Sequence, residues 1–346
     1  MNKNFWKNRK VLIIGHTGFK GSWLSVYLHL LGARIYGYSL KEKKKSIFAF
    51  AHLRKVLRKS FYGNILDKNN LVKIFKTIKP EIVFHFAAQP LVSYASENPL
   101  ETFDVNLVGT ANIISSLSKT SSVKLCLVTT TDKVYKPSKY PKYFSEKDYL
   151  EGSEAYSCSK VCVEEYLKSV SNFLRPKLVS VRSGNVIGIG DYHEGRIIPD
   201  IVQSIKTKKK LLIRNLSSIR PWLHILDSLN GYINLTEKII LGQIQKKKFS
   251  SWNFAPKKSD HVSVLSILKK FKRYHNFKFE KRKSRLFVEN KYLRLSFAKS
   301  KRIIKWSPIY SIDGIINEIA LYCKKKPTYE IMKLIIDNFN EKKNSK

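Results

Sequence analysis

Residues 10–21, KVLIIGHTGFKG, determine the architecture of the first half of the chain, because an apolar, strand-like run leads into a glycine turn. Gly15, Gly18 and Gly21 spell G-x-x-G-x-x-G, and residues 22–31 have the length and composition of a helix. Glycines let the backbone turn tightly and approach a diphosphate, while the helix offers free N–H groups and the positive end of its dipole. The pattern predicts a dinucleotide site; the alternative is a purely structural turn.

The strand–helix alternation continues beyond this turn. We predict further strands at residues 34–39, 81–87, 123–129 and 177–181, and further helices at residues 69–78, 100–117 and 154–171. Such alternation is typical of α/β proteins in which helices cover both faces of a parallel sheet. We therefore expect a Rossmann-like doubly wound parallel sheet with a smaller, mostly C-terminal substrate-binding portion, and ligands at the carboxyl ends of the strands.

The chain length and the regular strand–helix alternation suggest how the chain is divided into domains, since 346 residues suit about two domains. We expect a dinucleotide-binding Rossmann domain at residues 8–182 and a substrate-binding portion at residues 183–330. A segment near residues 221–257 is expected to return to the Rossmann core. Residues 331–346 are polar on average, and we expect them to form a tail that frays.

The chain is strongly basic, because 65 Lys and Arg against 26 Asp and Glu give a formal net charge of +39. This charge permits an alternative function, a basic protein that binds nucleic acid or another polyanion, with residues 269–285 as the best candidate contact. However, only 14 of the 65 basic residues are Arg, whose planar fork suits phosphates and bases best. We expect no specific nucleic-acid partner, although the positive field should attract small anionic ligands.

The amino-acid composition also indicates where in the cell the protein is expected. No apolar run approaches the roughly 18–20 residues that cross a bilayer, and the polar N-terminal residues do not resemble a signal peptide. The cysteines, which show no metal-ligand spacing, are Cys126, Cys158, Cys162 and Cys323. Free thiols suit a reducing compartment, so we predict a cytoplasmic protein without membrane contact and without a metal site.

A candidate catalytic set follows the strand at residues 123–129. Tyr156 and Lys160 form Y-x-x-x-K on a predicted helix, so both side chains project from one face. We expect the ammonium to lower the pKa of the phenol from about 10 toward neutrality, so that the tyrosine can act as a base. Thr131 can hydrogen-bond the same substrate oxygen. Asp132 and Lys133 add an acid and a base that would permit an elimination, although a turn cap and a solvated charge are their alternative roles.

The second predicted strand lacks the acid that commonly holds the adenosine ribose of NAD, since it ends in Tyr-Ser-Leu-Lys at residues 38–41. Lys41 and the lysines at residues 43–45 could instead meet a 2′-phosphate. The residues therefore leave NAD and NADP as alternatives.

The chain resembles the sugar-nucleotide 4,6-dehydratases, which are extended short-chain dehydrogenase/reductases. The resemblance runs from about residue 6 to about residue 315 and is carried by GHTGFKGSWL (15–24), HFAAQPLV (85–92), NLVGT (106–110), TTDKVY (130–135), YSCSK (156–160), VRSGNVIG (181–188), GRIIPDI (195–201), IRNLSSIRPWLHI (213–225), WNFAP (252–256) and ENKYLRL (289–295). The Asp132–Lys133 pair is similar to that of the branch acting on CDP-glucose, whereas relatives that act on dTDP-glucose carry Asp-Glu.

The resemblance implies a hydro-lyase that converts CDP-D-glucose to CDP-4-keto-6-deoxy-D-glucose and water. In that cycle Tyr156 takes the 4-hydroxyl proton while NAD⁺ accepts hydride from C4. Lys133 stands where relatives place the base for the C5 proton, Asp132 protonates the leaving 6-hydroxyl, and hydride returns to C6. Another nucleotide-sugar 4,6-dehydratase or an epimerase on the same fold is the alternative enzyme.

The resemblance also implies the composition of the site. The catalytic residues would be Thr131, Asp132, Lys133, Tyr156 and Lys160. The residues that contact NAD would be Gly15, Thr17, Gly18, Phe19, Gly21, Asn64, Ile65, Ala87, Ala88, Gln89, Tyr156 and Lys160. The residues that contact the sugar nucleotide would be Asn185, Arg196, Arg214 and Arg220. The family further implies a homodimer or homotetramer, formed through the helices that hold Asn106 and Tyr156, and a place in deoxysugar synthesis for surface polysaccharide such as O-antigen.

Overall fold

The computed structural model describes residues 2–244, 247–281 and 292–345. The strands within these ranges are β1 (Lys10–Ile14), β2 (Arg34–Ser39), β3 (Lys59–Tyr62), β4 (Ile82–His85), β5 (Leu125–Thr129), β6 (Tyr143–Phe144), β7 (Lys177–Ser183), β8 (Asn185–Ile187), β9 (Leu211–Ile213), β10 (Ile219–His224), β11 (Phe249–Phe254), β12 (His261–Ser263), β13 (Phe279–Lys281) and β14 (Arg294–Leu295). The helices are α1 (Lys3–Trp6), α2 (Phe19–Leu30), α3 (Ile47–Phe50), α4 (Lys68–Ile78), α5 (Val92–Glu97), α6 (Pro99–Phe103), α7 (Gly109–Ser118), α8 (Ala155–Val170), α9 (Ile197–Thr207), α10 (Ile225–Ile240), α11 (Val264–Lys272), α12 (Ala298–Ile304), α13 (Ile312–Tyr322) and α14 (Tyr329–Asn344). A π-helical turn, Asp104–Val108, joins α6 to α7, and 3-10 turns lie at Leu53–Val56, Asp132–Val134, Ser171–Phe173 and Lys258–Asp260.

The central sheet of the described chain has seven strands in the order β3-β2-β1-β4-β5-β7-β11. Every neighbouring pair in it is parallel. The direction of the strand order reverses between β1 and β4, and sheets of this kind bind ligands at such a switch point. The predicted Rossmann-like doubly wound sheet is confirmed. Strand β3 is absent from the sequence prediction.

Strand β1 shows how the sheet is covered on both faces. Val11 and Ile13 belong to one apolar core, and Leu12 and Ile14 belong to the other, because successive side chains of a strand point to opposite faces. All four side chains are fully buried. Helices α2 and α10 contribute to the first core, and helices α4, α7 and α8 contribute to the second. Packing on both faces holds the strand ends in fixed positions.

After β7 the chain leaves the central sheet and later returns to it. Strands β8, β10 and β12 form a separate three-stranded sheet, in which β10 is parallel to β8 and antiparallel to β12. Helix α10 then packs against α2, and β11 pairs with β7 at the edge of the central sheet. Residues beyond β7 therefore contribute both to the second portion and to the Rossmann core.

The expectation that residues 331–346 form a fraying tail is wrong. Helix α14 covers most of them, and its buried residues are Met332, Ile335, Ile336 and Phe339. Their i, i+3, i+4, i+7 spacing makes one apolar face on an otherwise polar helix. The Tyr27 hydroxyl donates to Asn340 Oδ1 at 2.8 Å, which fastens α14 to α2. The periodicity of a few apolar residues thus outweighs the polar average of the segment.

The basic stretch at residues 269–285 is described only as far as residue 281. Within that part, Lys270 Nζ donates to Asp313 Oδ1 at 2.6 Å, and Lys272 Nζ lies 4.9 Å from the centroid of the Phe279 ring. Residues 282–285 lie outside the described residues, as do residues 289–291 of the ENKYLRL segment. The four cysteines are free, as predicted. Among the helices described, none is long and apolar enough to span a membrane.

Candidate active site

The glycine turn between β1 and α2 is tightly packed. Gly15 has a φ of +91°, in the left-handed region that favours glycine, and a Cβ there would lie 2.7 Å from the Ala87 nitrogen. A Cβ on Gly21 would lie 2.2 Å from the Gly15 carbonyl oxygen. Gly18 is the N-cap of α2 and supplies no side-chain cap, so the first amides of α2 can bind a ligand. This cradle fits the diphosphate of a dinucleotide.

Thr17 and Phe19 connect the turn to two neighbouring segments. Thr17 Oγ1 lies 2.6 Å from Ser39 Oγ and donates to the Leu40 carbonyl oxygen at 3.1 Å, at the end of β2. Phe19 is buried, and a Cβ built on Gly188 would lie 3.6 Å from its Cζ. The turn is therefore fixed to β2 on one side and to the loop after β8 on the other.

An acid near the end of β2 was missed by the sequence analysis. Glu42 follows the exposed Lys41, and its Oε2 is buried without a hydrogen-bond partner among the described residues. Its other oxygen lies 4.0 Å from Arg54 Nε. Its charge also acts on the buried ring of His16 in the glycine turn. The sequence analysis considered only residues 38–41 as the end of this strand, and the acid follows one residue later.

Asn64 and Ile65 follow β3 and take part in contacts within the chain. Asn64 Oδ1 accepts from the Leu66 amide at 3.0 Å, and the Asn64 carbonyl oxygen accepts from the Tyr38 hydroxyl at 2.8 Å. Ile65 is buried, and its carbonyl oxygen accepts from Asn112 Nδ2 at 3.2 Å. The two residues thus shape the edge of the cleft next to β2.

The loop at residues 87–89 is fastened to the helix that carries Tyr156. Asn106, in the π turn, accepts from the Gln89 amide at 2.9 Å through its Oδ1. Its Nδ2 donates to the Gln89 carbonyl oxygen at 3.2 Å and to Ser159 Oγ at 2.9 Å. The Gln89 side chain donates to Thr102 Oγ1 at 3.0 Å. The side chain of Gln89 therefore orders the loop, and the loop borders the glycine turn.

Thr131 and Asp132 are buried directly after β5. Thr131 Oγ1 donates to Asp132 Oδ1 at 3.1 Å and accepts from the Lys133 amide at 3.3 Å, so Thr131, not Asp132, caps the 3-10 turn. Asp132 Oδ2 is buried without a hydrogen-bond partner among the residues described, and it faces Gly184. Burial raises the pKa of Asp132, while Lys133 and Arg220 oppose that rise. The carboxyl group can therefore hold a proton more readily than a solvated aspartate.

Lys160 is buried on α8, and its Nζ donates to the Thr129 carbonyl oxygen at 3.4 Å. Burial lowers the pKa of this lysine to about 8, and the nearby charge of Lys20 contributes to the decrease. The ammonium lies against the end of β5.

Tyr156 lies on the first turn of α8 and is partly exposed to the cleft. The expectation that Lys160 lowers the pKa of Tyr156 toward neutrality is wrong for the protein chain by itself. Burial raises the pKa of the phenol to about 12, and the groups that oppose this rise are the Thr131 hydroxyl and Arg196. The physical reason is that desolvation of the phenolate outweighs the charges that face it.

A buried ion pair beneath the site was also missed. Glu164 of α8 accepts from Arg182 of β7 and from the hydroxyls of Thr130 and Ser180, at 2.6–2.9 Å. Thr130 immediately precedes Thr131, so the network joins the catalytic loop to α8. A charged residue within the apolar strand at residues 177–183 is the sequence signal that could have revealed it.

Two of the four expected sugar-nucleotide residues lie near the catalytic set. Arg196 Nη1 is 3.1 Å from Asp191 Oδ2, and its charge acts on Tyr156. Arg220 is buried on β10, and its charge acts on Asp132. These cations line the side of the cleft formed by the second portion.

The other two are placed differently. Asn185 is partly buried on β8, in register with Trp222 of β10. Arg214 is exposed, and its charge acts on Asp200 of α9 instead of on the catalytic residues. The charges of Arg196 and Arg220 thus act on catalytic residues, whereas the exposed Arg214 interacts with Asp200.

Taken together, the carboxyl ends of β1, β2, β4 and β5 border one cleft. This cleft offers a diphosphate cradle, a phenol beside a threonine hydroxyl, a buried carboxyl group with an unpaired oxygen, and several cations. Such a set can bind a dinucleotide and an anionic substrate together, and it can move protons on that substrate.

Comparison with known proteins agrees with this chemistry. The sequence matches the NAD dependent epimerase/dehydratase family over residues 11–245. The chain is 35% identical to the CDP-glucose 4,6-dehydratase of Salmonella typhimurium over 340 residues, which cover 94% of this chain and 93% of the relative. It is 25% identical to the UDP-glucose 4-epimerase of Mycoplasma genitalium, over 75% of this chain and 81% of the relative.

A solved structure shows the same fold. The dTDP-glucose 4,6-dehydratase of Bacillus anthracis, in complex with NAD, superposes with a TM-score of 0.78 at 18% identity, covering 92% of this chain and 97% of that chain. The NAD dependence of the matching family decides between the two dinucleotides that the sequence left open. The glycine cradle, the catalytic loop and these similarities lead to one conclusion: the chain belongs to the NAD dependent epimerase/dehydratase family of enzymes.

Proposed function

We propose that the protein is a CDP-glucose 4,6-dehydratase, a hydro-lyase that converts CDP-D-glucose to CDP-4-keto-6-deoxy-D-glucose and water. The similarity to the Salmonella typhimurium enzyme supports this proposal, because it extends over nearly the full length of both chains. The Asp132–Lys133 pair supports it as well, since a redox step alone needs no additional acid and base in these positions.

The proposal of an elimination step depends on one observation, the burial of the Asp132 carboxyl group with one oxygen unpaired. One of its oxygens accepts from Thr131, and the other has no hydrogen-bond partner within the described part of the chain. A buried polar atom without a partner is costly, so the free oxygen suits a ligand hydroxyl. The raised pKa, caused first by burial, favours the protonated form that a general acid requires.

Each residue then has a task in the reaction. Tyr156, beside Thr131, removes the proton from the 4-hydroxyl during oxidation at C4. Lys133 takes the C5 proton, which the new ketone makes acidic, and gives a proton back to C5 when C6 is reduced. Asp132 protonates the 6-hydroxyl as it leaves as water. Bound NAD would supply the two-electron oxidation at C4 and return both electrons to the sugar in the same turnover.

The chain's own residues would hold this cofactor through backbone and side chain. The glycine cradle and the first amides of α2 would receive the diphosphate, and Lys160 would hold the nicotinamide ribose near Tyr156. The pKa of Tyr156, raised to about 12 in the chain by itself, must fall for the phenol to act as a base. The positive charge of an oxidised nicotinamide next to the phenol favours that change.

Incubation of the purified protein with CDP-, dTDP-, GDP- and UDP-glucose tests the proposal. We expect loss of water from CDP-glucose, detected by mass spectrometry, and a 4-keto-6-deoxy sugar identified by NMR. Preferential dehydration of another nucleotide sugar would replace the substrate in this proposal. Conversion of UDP-glucose to an epimer without loss of water would identify an epimerase. Salt-sensitive retention of nucleic acid without any turnover would favour the polyanion-binding alternative.

We also propose that the protein forms a homodimer or homotetramer. Leu100 on α6 and Val108 in the π turn are 76% and 45% exposed, and α6 packs beside α8. Apolar side chains exposed on adjacent helices favour contact with a second copy. Analytical ultracentrifugation tests this: wild type should sediment as an oligomer, and replacement of both residues by Glu should produce monomers.

The biological setting is part of the same proposal. We place the enzyme in the cytoplasm, where its four free thiols would remain reduced, and its product in deoxysugar synthesis for surface polysaccharide such as O-antigen. Cell fractionation with an antibody, together with sugar analysis of a strain lacking the gene, checks both points. Recovery of the protein outside the cytoplasmic fraction, or an unchanged polysaccharide, would contradict them.

A further inference from the structure

Lys20 extends from the first turn of α2 toward the second portion of the cleft. Two other residues of this helix contact the loop after β8: Phe19, which precedes Lys20, and Trp23, which lies on the same helical face as Lys20. A Cβ on Gly188 would lie 3.6 Å from Phe19 Cζ, and Trp23 Nε1 donates to the Ile189 carbonyl oxygen at 3.1 Å. Helix α2 is thus anchored to the loop after β8, which leads directly to Asp191.

The Lys20 ammonium lies within a cluster of charged groups. Its charge interacts with those of Arg196, Asp132 and Asp191, and it also acts on Lys160. Burial, followed by Arg196, lowers the pKa of Lys20 to about 8, so the group remains mostly protonated at neutral pH. Asp191 is already paired with Arg196 at 3.1 Å, and Asp132 with Thr131 at 3.1 Å.

This ammonium has no hydrogen bond or ion pair to any residue in the described ranges. A partly buried cation without a partner is unfavourable, and the oxygen of a bound ligand would compensate for its lost hydration. A lysine that only stabilised the fold would be expected to have a carboxylate or carbonyl partner in the chain itself.

Two ligands could supply that oxygen. The diphosphate of a bound dinucleotide would be held by backbone amides of the glycine cradle, at the N-terminus of α2. The charges that interact with Lys20 are Asp132, Asp191 and Arg196, in the loops after β5 and β8, together with Lys160 of α8. In the proposed function these loops face the sugar nucleotide.

We propose that Lys20 is a substrate-binding residue, whose ammonium donates to an oxygen of the sugar nucleotide, on its diphosphate or on the hexose beside Asp132. This inference rests on the proposed function, because it assumes that a sugar nucleotide occupies that side of the cleft. It extends the sugar-nucleotide set with a residue of the glycine motif.

Lys20→Met tests the proposal, since Met keeps an unbranched side chain only one atom shorter and removes the charge. The control is Lys76→Met, which removes an exposed lysine from α4. Both are made in a Tyr156→Phe background loaded with NAD, so that CDP-glucose is bound but not consumed. Isothermal titration calorimetry gives the Kd of CDP-glucose and of CDP, and titration of the unloaded proteins gives the Kd of NAD.

We expect Lys20→Met to raise the Kd of CDP-glucose about tenfold or more, with the Kd of NAD changed less than about twofold. An equal rise for CDP assigns the contact to the diphosphate, whereas a rise for CDP-glucose alone assigns it to the hexose. An unchanged Kd for CDP-glucose would overturn the proposal, and so would a loss confined to NAD. Turnover of CDP-glucose by the wild type tests the proposed function separately, so the two failures can be distinguished.

Discussion

The carboxylate of Glu164 receives both arms of the Arg182 guanidinium, with Nε donating to Oε1 and Nη2 donating to Oε2, each at 2.9 Å. Both side chains are almost completely buried. The same carboxylate accepts from Thr130, the residue before the catalytic loop, at 2.6 Å. A bidentate pair of this kind fixes geometry in a way that a single hydrogen bond cannot. It joins α8, which carries Tyr156, to the end of β5.

Glu164→Gln should destabilise the protein by about 3–5 kcal/mol at neutral pH, because it leaves the Arg182 charge buried without its partner. Burial alone would raise the pKa of Glu164, but Arg182 and the two hydroxyls outweigh burial and lower it. The stabilisation is therefore complete above the ordinary glutamate pKa and is lost as pH falls through the lower native value. Urea unfolding at several pH values measures this, with the exposed Glu165→Gln as control. An unfolding free energy equal to that of wild type would contradict the assigned role.

Tyr156→Phe should lower dehydration by about 10²–10⁴-fold, because it removes the group that takes the 4-hydroxyl proton. Mixing with CDP-glucose should then give no absorbance of reduced NAD, since the block precedes oxidation at C4. Tyr166→Phe is the matched control, as it removes a phenol from the same helix on the side packed against the apolar core. Turnover near the wild-type rate in Tyr156→Phe would exclude Tyr156 as the base.

Asp132→Asn should separate oxidation from elimination. The amide retains the shape of the side chain and cannot donate the proton that the 6-hydroxyl needs. We expect reduced NAD to accumulate in a rapid-mixing experiment, while release of the 6-deoxy product falls by about 10²–10⁴-fold. Asp337→Asn, an exposed position on α14, is the control for charge loss. A mutant that reduces no NAD at all would assign Asp132 to an earlier step.

The features that sequence could predict are those encoded by local pattern. The apolar run at residues 10–14 and the glycines after it suffice for a strand, a turn and a helix. The same local logic places Tyr156 and Lys160 on one helical face. Strand β3 escaped prediction because its residues, Lys-Ser-Phe-Tyr, are too few and too polar to show a periodicity, and pairing with β2 is what makes them a strand.

The features that sequence could not predict depend on tertiary contact. Glu164 and Arg182 are 18 residues apart, and only the packing of α8 on the sheet makes them partners. The raised pKa of Tyr156 likewise reflects burial, which the Y-x-x-x-K spacing does not encode. Lys20 belongs to this group as well. The glycine motif does not show which side of the cleft the lysine side chain faces, and only the packing of α2 against the loop after β8 determines this.

Wild-type stability should fall in moderately acidic solution because His85 is buried as a neutral ring. Its Nε2 lies 3.0 Å from Thr110 Oγ1, and burial, aided by Lys160, lowers its pKa to about 3. The unfolded chain therefore binds one more proton than the native chain between about pH 6.5 and pH 3, so stability decreases as pH falls through that window. The contribution is about 1.4 kcal/mol per pH unit.

His85→Gln tests this contribution, since Gln can still pair with Thr110 and does not titrate. Unfolding free energies between pH 4 and pH 7 should decline less steeply in the mutant than in wild type. Equal slopes in His85→Gln and wild type would show that this ring does not titrate as described.

Phe339→Ala tests whether α14 is an integral part of the fold. Phe339 is fully buried, stacks on Tyr310 with ring centroids 6.1 Å apart, and meets the edge of Tyr27 at 6.4 Å. Removing a buried phenylalanine ring costs about 3–5 kcal/mol. Leu334→Ala, on the exposed side of the same helix, should change stability by no more than about 0.5 kcal/mol. Chemical unfolding of both variants measures the free energy of unfolding. Similar small decreases would mean that α14 adds little to the stability of the fold. A large decrease confined to Phe339→Ala would show that α14 completes the core beneath α2.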